Sequence, residues 1–338
     1  MMEDRLAALL VPALGADASR AVACMELPDL PQVGPGRTAA AELAVALSVA
    51  LHHGLLARVP TGAAYVADSL AGGRRIRLDH GALRTIRMPG DAPTGALPPG
   101  ADAFARILGP LGYRRVGVYP LDRLRMTGFA WCHDENPEGI AQYFVSELHV
   151  ERFGGDFWDI AGRVFGSTRD PLDDAVKAAL ARLGARGWLP SDEAADMLPA
   201  LVSAFGCHHD APALADYEAL KHESDEAAWI ATEGNAFNHG TDRVEDIDTL
   251  VQSQRKAGRA MKDRIEISGS GRVRQTATRA DLVERTFRAE DGSEIRRAVP
   301  GSFYEFISRD IDPGTGRLDL RFDSANAQGI FRMTALDA

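Results

Sequence analysis

Apolar residues recur at helical spacing through the first 60 residues of the chain. Leu6, Leu9, Leu10 and Leu14 follow the three- and four-residue steps of one helix face, which predicts an amphipathic helix near the N-terminus. The Ala-rich stretch from Thr38 to Pro60 is interrupted by polar residues and falls short of the roughly 18–20 uninterrupted apolar residues of a membrane span. This stretch is therefore predicted to be a buried helix.

The middle of the chain has the pattern of a mixed α/β unit. The segment from Arg74 to Met88 is predicted to be a strand, and a loop rich in Pro and Gly follows it. The pattern then predicts a short helix at ADAFARILGPLG and two strands at YRRVGVYPL and TGFAWCH. A helix is predicted to begin at PEGIAQYFVSEL, with proline in its first turn.

The last half of the chain changes from helical to strand-like patterning. Apolar spacing from Asp170 to Trp229 predicts a helical insertion. Short β-branched or aromatic segments follow it, namely RIEIS, RVRQTATRA, LVERTFRA, SFYEFIS and RLDLRF. We expect an α+β fold in which two related α/β units close one curved sheet. The predicted single domain, residues 1–338, comprises N-terminal helices (1–60), a first unit (61–169), the helical insertion (170–229) and a second unit (230–338).

Composition and charge exclude several classes of function. The chain has 338 residues, 45% of them hydrophobic and 25% charged, as in ordinary soluble proteins. Its net charge of −10 gives it no general attraction to nucleic acid or anionic lipid, so we expect neither partner. Three widely spaced cysteines and the acidic Glu3 and Asp4 favour a reducing compartment without a signal peptide, and we predict a cytoplasmic protein. The oligomeric state stays open.

Histidines are the first candidates for chemistry, and two clusters have structural explanations. His52 and His53 lie on an Ala/Leu-rich segment and are interpreted as a capped or half-buried helix end. The Cys207-His208-His209-Asp210 run suggests a metal cluster, but Asp210 is also placed to cap the next helix. The chain contains no HExxH, GxSxG, GxGxxG after a strand, or P-loop, which removes the commonest hydrolase, dinucleotide-binding and NTPase interpretations.

Three strand-like segments offer a different set of side chains. Alternation places His80 and Arg84 on one strand face, His239 lies in a Gly-flanked extended segment, and Glu305 is embedded among apolar strand neighbours. A buried glutamate is costly unless it is paired or binds a metal. Two histidines and one carboxylate could form a facial triad on Fe(II) with open positions for substrate and oxygen. The alternative is two hydrogen-bonded histidines and a salt-bridged glutamate.

Several motifs in register resemble one known family. They are DHGALRTI (Asp79–Ile86), YFVSELHVERF (Tyr143–Phe153), GNAFNHGTDR (Gly234–Arg243), RQTATRA (Arg274–Ala280), GSFYEFISR (Gly301–Arg309) and NAQGIF (Asn326–Phe331). Together they resemble the 2-oxoadipate dioxygenase/decarboxylase family, a branch of the vicinal-oxygen-chelate, or glyoxalase-like, proteins. The resemblance covers most of the chain from about residue 67 onward, and it implies a vicinal-oxygen-chelate-like, partly closed barrel.

The resemblance also implies an activity. It implies Fe(II) held by His80, His239 and Glu305, with a substrate contacted by His80, His239 and the carboxylate-binding Arg84. A 2-oxo acid would chelate the iron, dioxygen would drive loss of CO2, and the same molecule would be hydroxylated, so that 2-oxoadipate yields 2-hydroxyglutarate in lysine breakdown. The chain is shorter than better-known members, chiefly after Glu305, which leaves the choice of 2-oxo acid open.

Other interpretations stay open at this point. The same scaffold could support glyoxalase-type isomerisation or ring cleavage, or a non-catalytic protein that binds a small molecule. Metal analysis separates the non-catalytic protein from the enzymes. Oxygen uptake with CO2 release separates the dioxygenase/decarboxylase from the isomerase and ring-cleavage enzymes. Arg84 could instead pair with a surface carboxylate such as Asp79 or Asp68. Arg243 could be a second anchor, but a surface salt bridge with Asp242 or Glu245 is the preferred interpretation.

Overall fold

A computed structural model describes residues 2–31 and 33–322 of the chain. The helices are α1 (Met2–Leu14), α2 (Ala18–Ala23), α3 (Ala40–Leu56), α4 (Pro60–Ala71), α5 (Asp102–Leu108), α6 (Gly155–Phe165), α7 (Asp174–Arg186), α8 (Ser191–Ala204), α9 (Leu214–Glu223), α10 (Asp225–Glu233) and α11 (Ile247–Lys256). The strands are β1 (Arg37–Ala39), β2 (Leu78–Arg87), β3 (Tyr113–Leu121), β4 (Met126–His133), β5 (Gln142–His149), β6 (Trp188–Pro190), β7 (Phe237–Arg243), β8 (Glu266–Ile267), β9 (Val273–Ala277), β10 (Leu282–Arg288), β11 (Glu294–Pro300), β12 (Phe303–Arg309), β13 (Ile311–Asp312) and β14 (Arg317–Leu318).

Eight strands form one mixed sheet that curls into a half-barrel, in the order β3-β4-β5-β2-β7-β12-β9-β8. In the first half, β2 pairs in parallel with β5, and β5, β4 and β3 pair antiparallel. In the second half, β7 pairs in parallel with β12, and β12, β9 and β8 pair antiparallel. The two halves repeat one pairing scheme, so the expected α+β fold with two related units in one curved sheet is confirmed.

The two halves meet where β2 runs antiparallel to β7, with Gly81 opposite Gly240. A Cβ atom at either position would lie only 2.1 or 2.9 Å from an apolar side chain packed on the outer face of the sheet. Both positions therefore require glycine for close packing. A two-fold relation about this glycine pair makes His80 and His239 equivalent, since each precedes its glycine by one residue.

The largest apolar core lies between the outer face of the sheet and helices that include α1, α3 and α8. Thirteen of the 17 residues of α3 are buried, which confirms the buried helix predicted from its alanine-rich sequence. Small side chains let this helix approach its neighbours closely on nearly every side. Leu6, Leu9 and Leu10 of α1 are also buried in this core, so the amphipathic prediction is confirmed as well.

Residues 2–23, which include α1 and α2, are long and apolar enough to cross a membrane by length and composition. Among the described residues, α3 and α4 pass the same test only as a pair bent by 115°. The core helix of a soluble protein also passes this test, and α1 contributes three leucines to the core.

The segment following Pro137 is a strand, so the helix predicted there is wrong. All eight residues of β5, Gln142–His149, are buried because the strand lies inside the sheet between β2 and β4. A strand buried on both faces loses the alternation of apolar and polar residues, and its pattern resembles that of a buried helix.

The region 170–229 contains α7, α8, α9 and the first half of α10, with β6 as a short strand between α7 and α8. Helix α10 continues to Glu233, close to the start of β7. The motif NAQGIF at 326–331 lies outside the described residues.

Candidate metal centre

Three adjacent strands each contribute one side chain to a compact group inside the half-barrel. His80 lies on β2, His239 on β7 and Glu305 on β12, and all three are at least 96% buried. Oε2 of Glu305 is 3.1 Å from Nε2 of His80 and 3.4 Å from Nε2 of His239. One donor atom of each residue lies within 4.8 Å of the other two, so the group could hold a metal ion.

Strand alternation explains why these side chains meet. On β2, Gly81 and Leu83 face the apolar core on the outer side of the sheet, whereas His80 and Ala82 face the inner side. The predicted shared face of His80 and Arg84 follows from the same alternation. Because β2, β7 and β12 are neighbours in the sheet, three candidate ligands far apart in sequence reach one level of the barrel.

The donor set fits a divalent metal ion. Oδ1 of Asp79 lies 2.9 Å from Nδ1 of His80, so a proton on Nδ1 leaves the Nε2 lone pair directed at Glu305. Within the described ranges, Oε1 of Glu305 and Nδ1 of His239 have no hydrogen-bond partner. A buried carboxylate oxygen without a partner is costly, and coordination to a metal would remove that cost.

The electrostatics of the group favour ligand-ready forms of two residues. Burial lowers the pKa of His239 to about 3, so this imidazole is neutral at physiological pH. Burial raises the pKa of Glu305, but His239 and His80 outweigh it and the net pKa is lowered. Burial lowers the pKa of His80, but hydrogen bonds to Asp79 and Glu305 outweigh it and the net pKa is raised. Metal binding would therefore displace a proton that His80 shares with its carboxylate neighbours.

Phe144 occupies the position where the two-fold relation would place a fourth ligand. Ala82 pairs with Phe144 between β2 and β5, as Thr241 pairs with Glu305 between β7 and β12. Phe144 belongs to a small apolar cluster with Ala82, and Phe322 packs against it. If the three residues held a metal ion on one side, the apolar wall on the other would leave open coordination positions and exclude bulk water.

Arg84 lies on the inner face four residues beyond His80, and it is fully buried. Its Nη1 atom is 2.8 Å from Oε2 of Glu226, and its guanidinium group lies 4.9 Å from the Trp229 ring. The alternative pairing of Arg84 with Asp79 or Asp68 is wrong, because those carboxylates bind other arginines. The sequence does not single out Glu226 or Trp229, since an acidic residue in the first turn of a helix is ordinary.

Arg243 does not form the predicted surface salt bridge with Asp242 or Glu245. Its Nε donates to Oδ2 of Asp79 at 2.7 Å, inside the barrel, and Asp242 pairs instead with Arg74. One regularity in the sequence could have located this contact. An arginine follows each member of the group by four residues, on the same strand face: Arg84 after His80, Arg243 after His239 and Arg309 after Glu305.

The other histidines singled out from the sequence lie apart from the group. His53 is half-buried in the last turn of α3, as interpreted from the sequence. His52 is fully buried, and its Nε2 is 2.9 Å from the hydroxyl of Tyr304 on the outer side of the sheet. His208 and His209 each lie within hydrogen-bond distance of a backbone carbonyl oxygen, at 2.6 and 3.0 Å. Asp210 does not cap a helix as predicted; α9 begins at Leu214, and Asp210 pairs with Arg169.

We expect the double substitution His208→Ala, His209→Ala to leave metal content unchanged. Both imidazoles hydrogen-bond to backbone carbonyl oxygens and neither belongs to the three-residue group. Metal per chain, measured by mass spectrometry after anaerobic reconstitution with Fe(II), tests this. A folded double variant that loses its metal would show that the ion binds elsewhere.

Three comparisons relate the chain to known proteins. The family model described as 2-oxoadipate dioxygenase/decarboxylase matches residues 51–332. A 2-oxoadipate dioxygenase/decarboxylase from Mycobacterium bovis is 30% identical over 259 residues, which cover 72% of this chain and 60% of that protein. The match thus spans about three fifths of the length of this relative.

Two solved structures resemble the fold. A glyoxalase-superfamily protein from Ralstonia eutropha JMP134 is 50% identical, with a TM-score of 0.90 and coverage of 95% of this chain and 98% of that one. A hydroxyglutarate synthase from Oryza sativa, solved with 2-oxoadipate, is 21% identical, with a TM-score of 0.69 and coverage of 92% and 98%. The chain belongs to the 2-oxoadipate dioxygenase/decarboxylase family.

Proposed function

We propose that this protein is a non-haem Fe(II) dioxygenase/decarboxylase. Its substrate is a 2-oxo dicarboxylic acid similar to 2-oxoadipate, which it converts with O2 to CO2 and a 2-hydroxy acid one carbon shorter. The atoms balance: the carboxylate beside the oxo group leaves as CO2, one oxygen atom of O2 enters the new carboxylate, and the other enters the new hydroxyl group. The observation that carries the proposal is the buried group of His80, His239 and Glu305 in a chain of this family.

The residues around the proposed metal have separate roles. His80, His239 and Glu305 would hold Fe(II), which when bound supplies electrons and open coordination positions for the reaction with O2. The Thr241 hydroxyl donates to Oε2 of Glu305 at 2.6 Å and so fixes the orientation of that carboxylate. Phe144 forms part of the apolar wall that keeps water from the reacting atoms.

Arg84 would hold the far carboxylate of the substrate. It lies four positions beyond His80, about 13 Å along the strand at ~3.3 Å per residue, and its long side chain can extend back toward the metal. A guanidinium group binds both oxygens of a carboxylate through parallel N–H donors. A 2-oxo dicarboxylic acid that chelates the metal at one end presents its second carboxylate on this side.

An oxygen-electrode screen tests the proposal. Anaerobically prepared, Fe(II)-loaded protein is mixed with a series of 2-oxo acids of increasing length, with and without a second carboxylate. We expect O2 uptake with equimolar CO2 release, greatest for a dicarboxylic acid. The absence of uptake with every member of the series would refute the proposal.

The proposal includes a pH dependence set by Glu226. Burial raises the pKa of this carboxyl group to about 7, although Arg84 counteracts the shift. Below that pH Glu226 is neutral and tolerates a second carboxylate at Arg84; above it Glu226 is charged and repels that carboxylate. We therefore expect the Kd of 2-oxoadipate to rise as pH increases through about 7, by up to ~10-fold per pH unit.

Calorimetry on metal-loaded protein without O2, at pH 6, 7 and 8, measures this dependence. A monocarboxylic 2-oxo acid of the same length corrects for titration at the metal group. Glu226→Gln should make the ratio of the two Kd values independent of pH. A ratio in the unsubstituted protein that stays constant between pH 6 and 8 would contradict the role of Glu226.

We also propose, from the charge and cysteine pattern, that the protein acts in the cytoplasm. From its family, we propose that it acts in lysine degradation.

A further inference from the structure

Asp79 is an extra residue in β2, at a bulge beside the metal group, that is, the three residues His80, His239 and Glu305. The β2–β7 pairing runs from Leu78 opposite Asp242 to His80 opposite Thr241, so two steps along β2 match one step along β7. A bulge of this kind redirects a side chain within a sheet. Asp79 is fully buried, and its carboxylate lies beside the His80 ring, with Oδ1 2.9 Å from Nδ1.

Two arginines hold the same carboxylate from the other strands of the group. Arg309 donates from Nη2 to Oδ1 at 2.8 Å and from Nε to Oδ2 at 3.0 Å. Arg243 donates from Nε to Oδ2 at 2.7 Å. Arg243 lies four residues after His239 on β7, and Arg309 lies four residues after Glu305 on β12. One carboxylate on β2 is therefore tied to both other strands that carry a member of the metal group.

We propose that Asp79 is the positioning residue of the metal centre. It keeps the proton of His80 on Nδ1, so that Nε2 faces the metal, and it fixes the three ligand-bearing strands relative to one another through Arg243 and Arg309. This inference rests on the metal centre of the proposed function, and it does not depend on which substrate is used.

Among the residues that the structure describes, none gives comparable support to the second half of the sheet. The two-fold relation places Asn238 at the position of Asp79, again at a shift in the β2–β7 pairing. Within the described part of the chain, Oδ1 of Asn238 and Nδ1 of His239 have no hydrogen-bond partner. A neutral amide stands where the first half has a carboxylate held by two arginines. The orienting function is thus concentrated on the His80 side.

Arg309 extends this support to the segment that covers His80. Its Nη1 donates to the carbonyl oxygen of Asp319 at 2.7 Å, and its guanidinium lies 5.5 Å from the Phe322 ring. The Phe322 ring lies 4.9 Å from the His80 ring, edge to face. Asp79 and Arg309 therefore fix both the ligand and the aromatic group packed on it.

Substitution of Asp79 by Asn tests the proposal, because Asn keeps the shape and removes the charge. Co(II) serves as the probe, since its d–d absorption reports coordination geometry and its titration gives a Kd. We expect Asp79→Asn to weaken Co(II) binding by about 10- to 100-fold and to change the d–d spectrum. A folded variant with a Kd within twofold of the unsubstituted protein and the same spectrum would overturn the proposal.

Asp242→Asn is the matched control. Asp242 is also fully buried and paired with an arginine, Arg74, but it lies on the outer side of the sheet. The Asp242→Asn substitution should change the thermal stability of the protein without changing its Co(II) spectrum or its Kd for Co(II). If Asp242→Asn weakens Co(II) binding as much as Asp79→Asn does, the effect is one of general stability and the proposal is wrong.

A second pair of variants covers the case in which Asp79→Asn does not fold. Arg309→Lys keeps the positive charge and loses the two-point contact, and Arg74→Lys is its control on the outer side. We expect a several-fold weaker Co(II) affinity for Arg309→Lys only. Equal affinities in the two variants would overturn the proposal.

Failure of the metal centre itself gives a different result. If the unsubstituted protein binds no Co(II) or Fe(II), the proposed function fails, and the role of Asp79 is read from histidine ¹⁵N chemical shifts. Loss of the Nδ1–H signature of His80 in Asp79→Asn supports the positioning role, and an unchanged spectrum overturns it.

Discussion

Glu305→Gln should lower the affinity of the protein for Fe(II) by at least ~100-fold, or about 2.8 kcal/mol, and abolish O2 uptake. Glutamine keeps the size of the side chain but offers only a neutral oxygen to the metal. The remaining two imidazoles cannot balance the charge of a divalent ion in a site that is fully buried at this position. Anaerobic titration with Fe(II) and the oxygen electrode measure the two effects.

Glu233→Gln is the matched control for this substitution. Glu233 is also buried, 3% exposed, but it pairs with Arg285 at 2.6 Å and not with the histidines. Circular dichroism shows whether each variant is folded. Normal Fe(II) affinity in folded Glu305→Gln would remove this residue from the metal centre.

Arg84→Ala should reduce kcat/KM for 2-oxoadipate by about 100-fold or more, while the affinity for Fe(II) is unchanged. The loss corresponds to a buried charge-assisted hydrogen bond to a carboxylate, worth about 1.5–3 kcal/mol, or more when desolvated. Arg84→Lys should recover part of the activity, because lysine keeps the charge but cannot bind both carboxylate oxygens at once. Steady-state oxygen consumption at several substrate concentrations gives the values.

Folding of Arg84→Ala needs its own control, because Glu226 would be left buried without its ion-pair partner. Removing one partner of a buried ion pair typically costs about 3–5 kcal/mol of stability. The double variant Arg84→Met, Glu226→Gln removes both charges and should fold well. If this double variant, loaded with iron, used 2-oxoadipate at a near-normal rate, Arg84 would not be the anchor. In every variant, kcat/KM for a monocarboxylic 2-oxo acid should fall far less than kcat/KM for 2-oxoadipate.

The positions of the three group members could be predicted because each depends on local information. His80 lies in a segment whose alternation assigns it to one strand face, and Glu305 is a lone carboxylate among apolar strand residues. The motifs around these residues occur along the chain in register with those of the family that they resemble. The structure shows that β2, β7 and β12 are adjacent in the sheet. This adjacency brings one donor atom of each side chain within 4.8 Å of the other two.

The partners of the arginines could not be predicted, because they depend on contacts distant in sequence. Glu226 follows Arg84 by 142 residues and resembles an ordinary acidic residue at a helix start. Asp79 accepts from Arg243 and Arg309 only because a bulge directs it inward, and bulges leave no clear mark in a single sequence. Strand β5 could not be predicted either, since burial on both faces removes the alternation that identifies a strand.

The seam between β2 and β7 has a consequence for the lifetime of the protein. His80 belongs to the first half of the sheet, and His239 and Glu305 belong to the second, so an ion bound by all three binds only when the seam is closed. An ion at 100 times its Kd stabilises such a closed state by about 2.7 kcal/mol and makes opening ~100-fold rarer. Proteases cleave chains in their opened states. The supply of such a metal ion would then affect the rate of degradation of this protein.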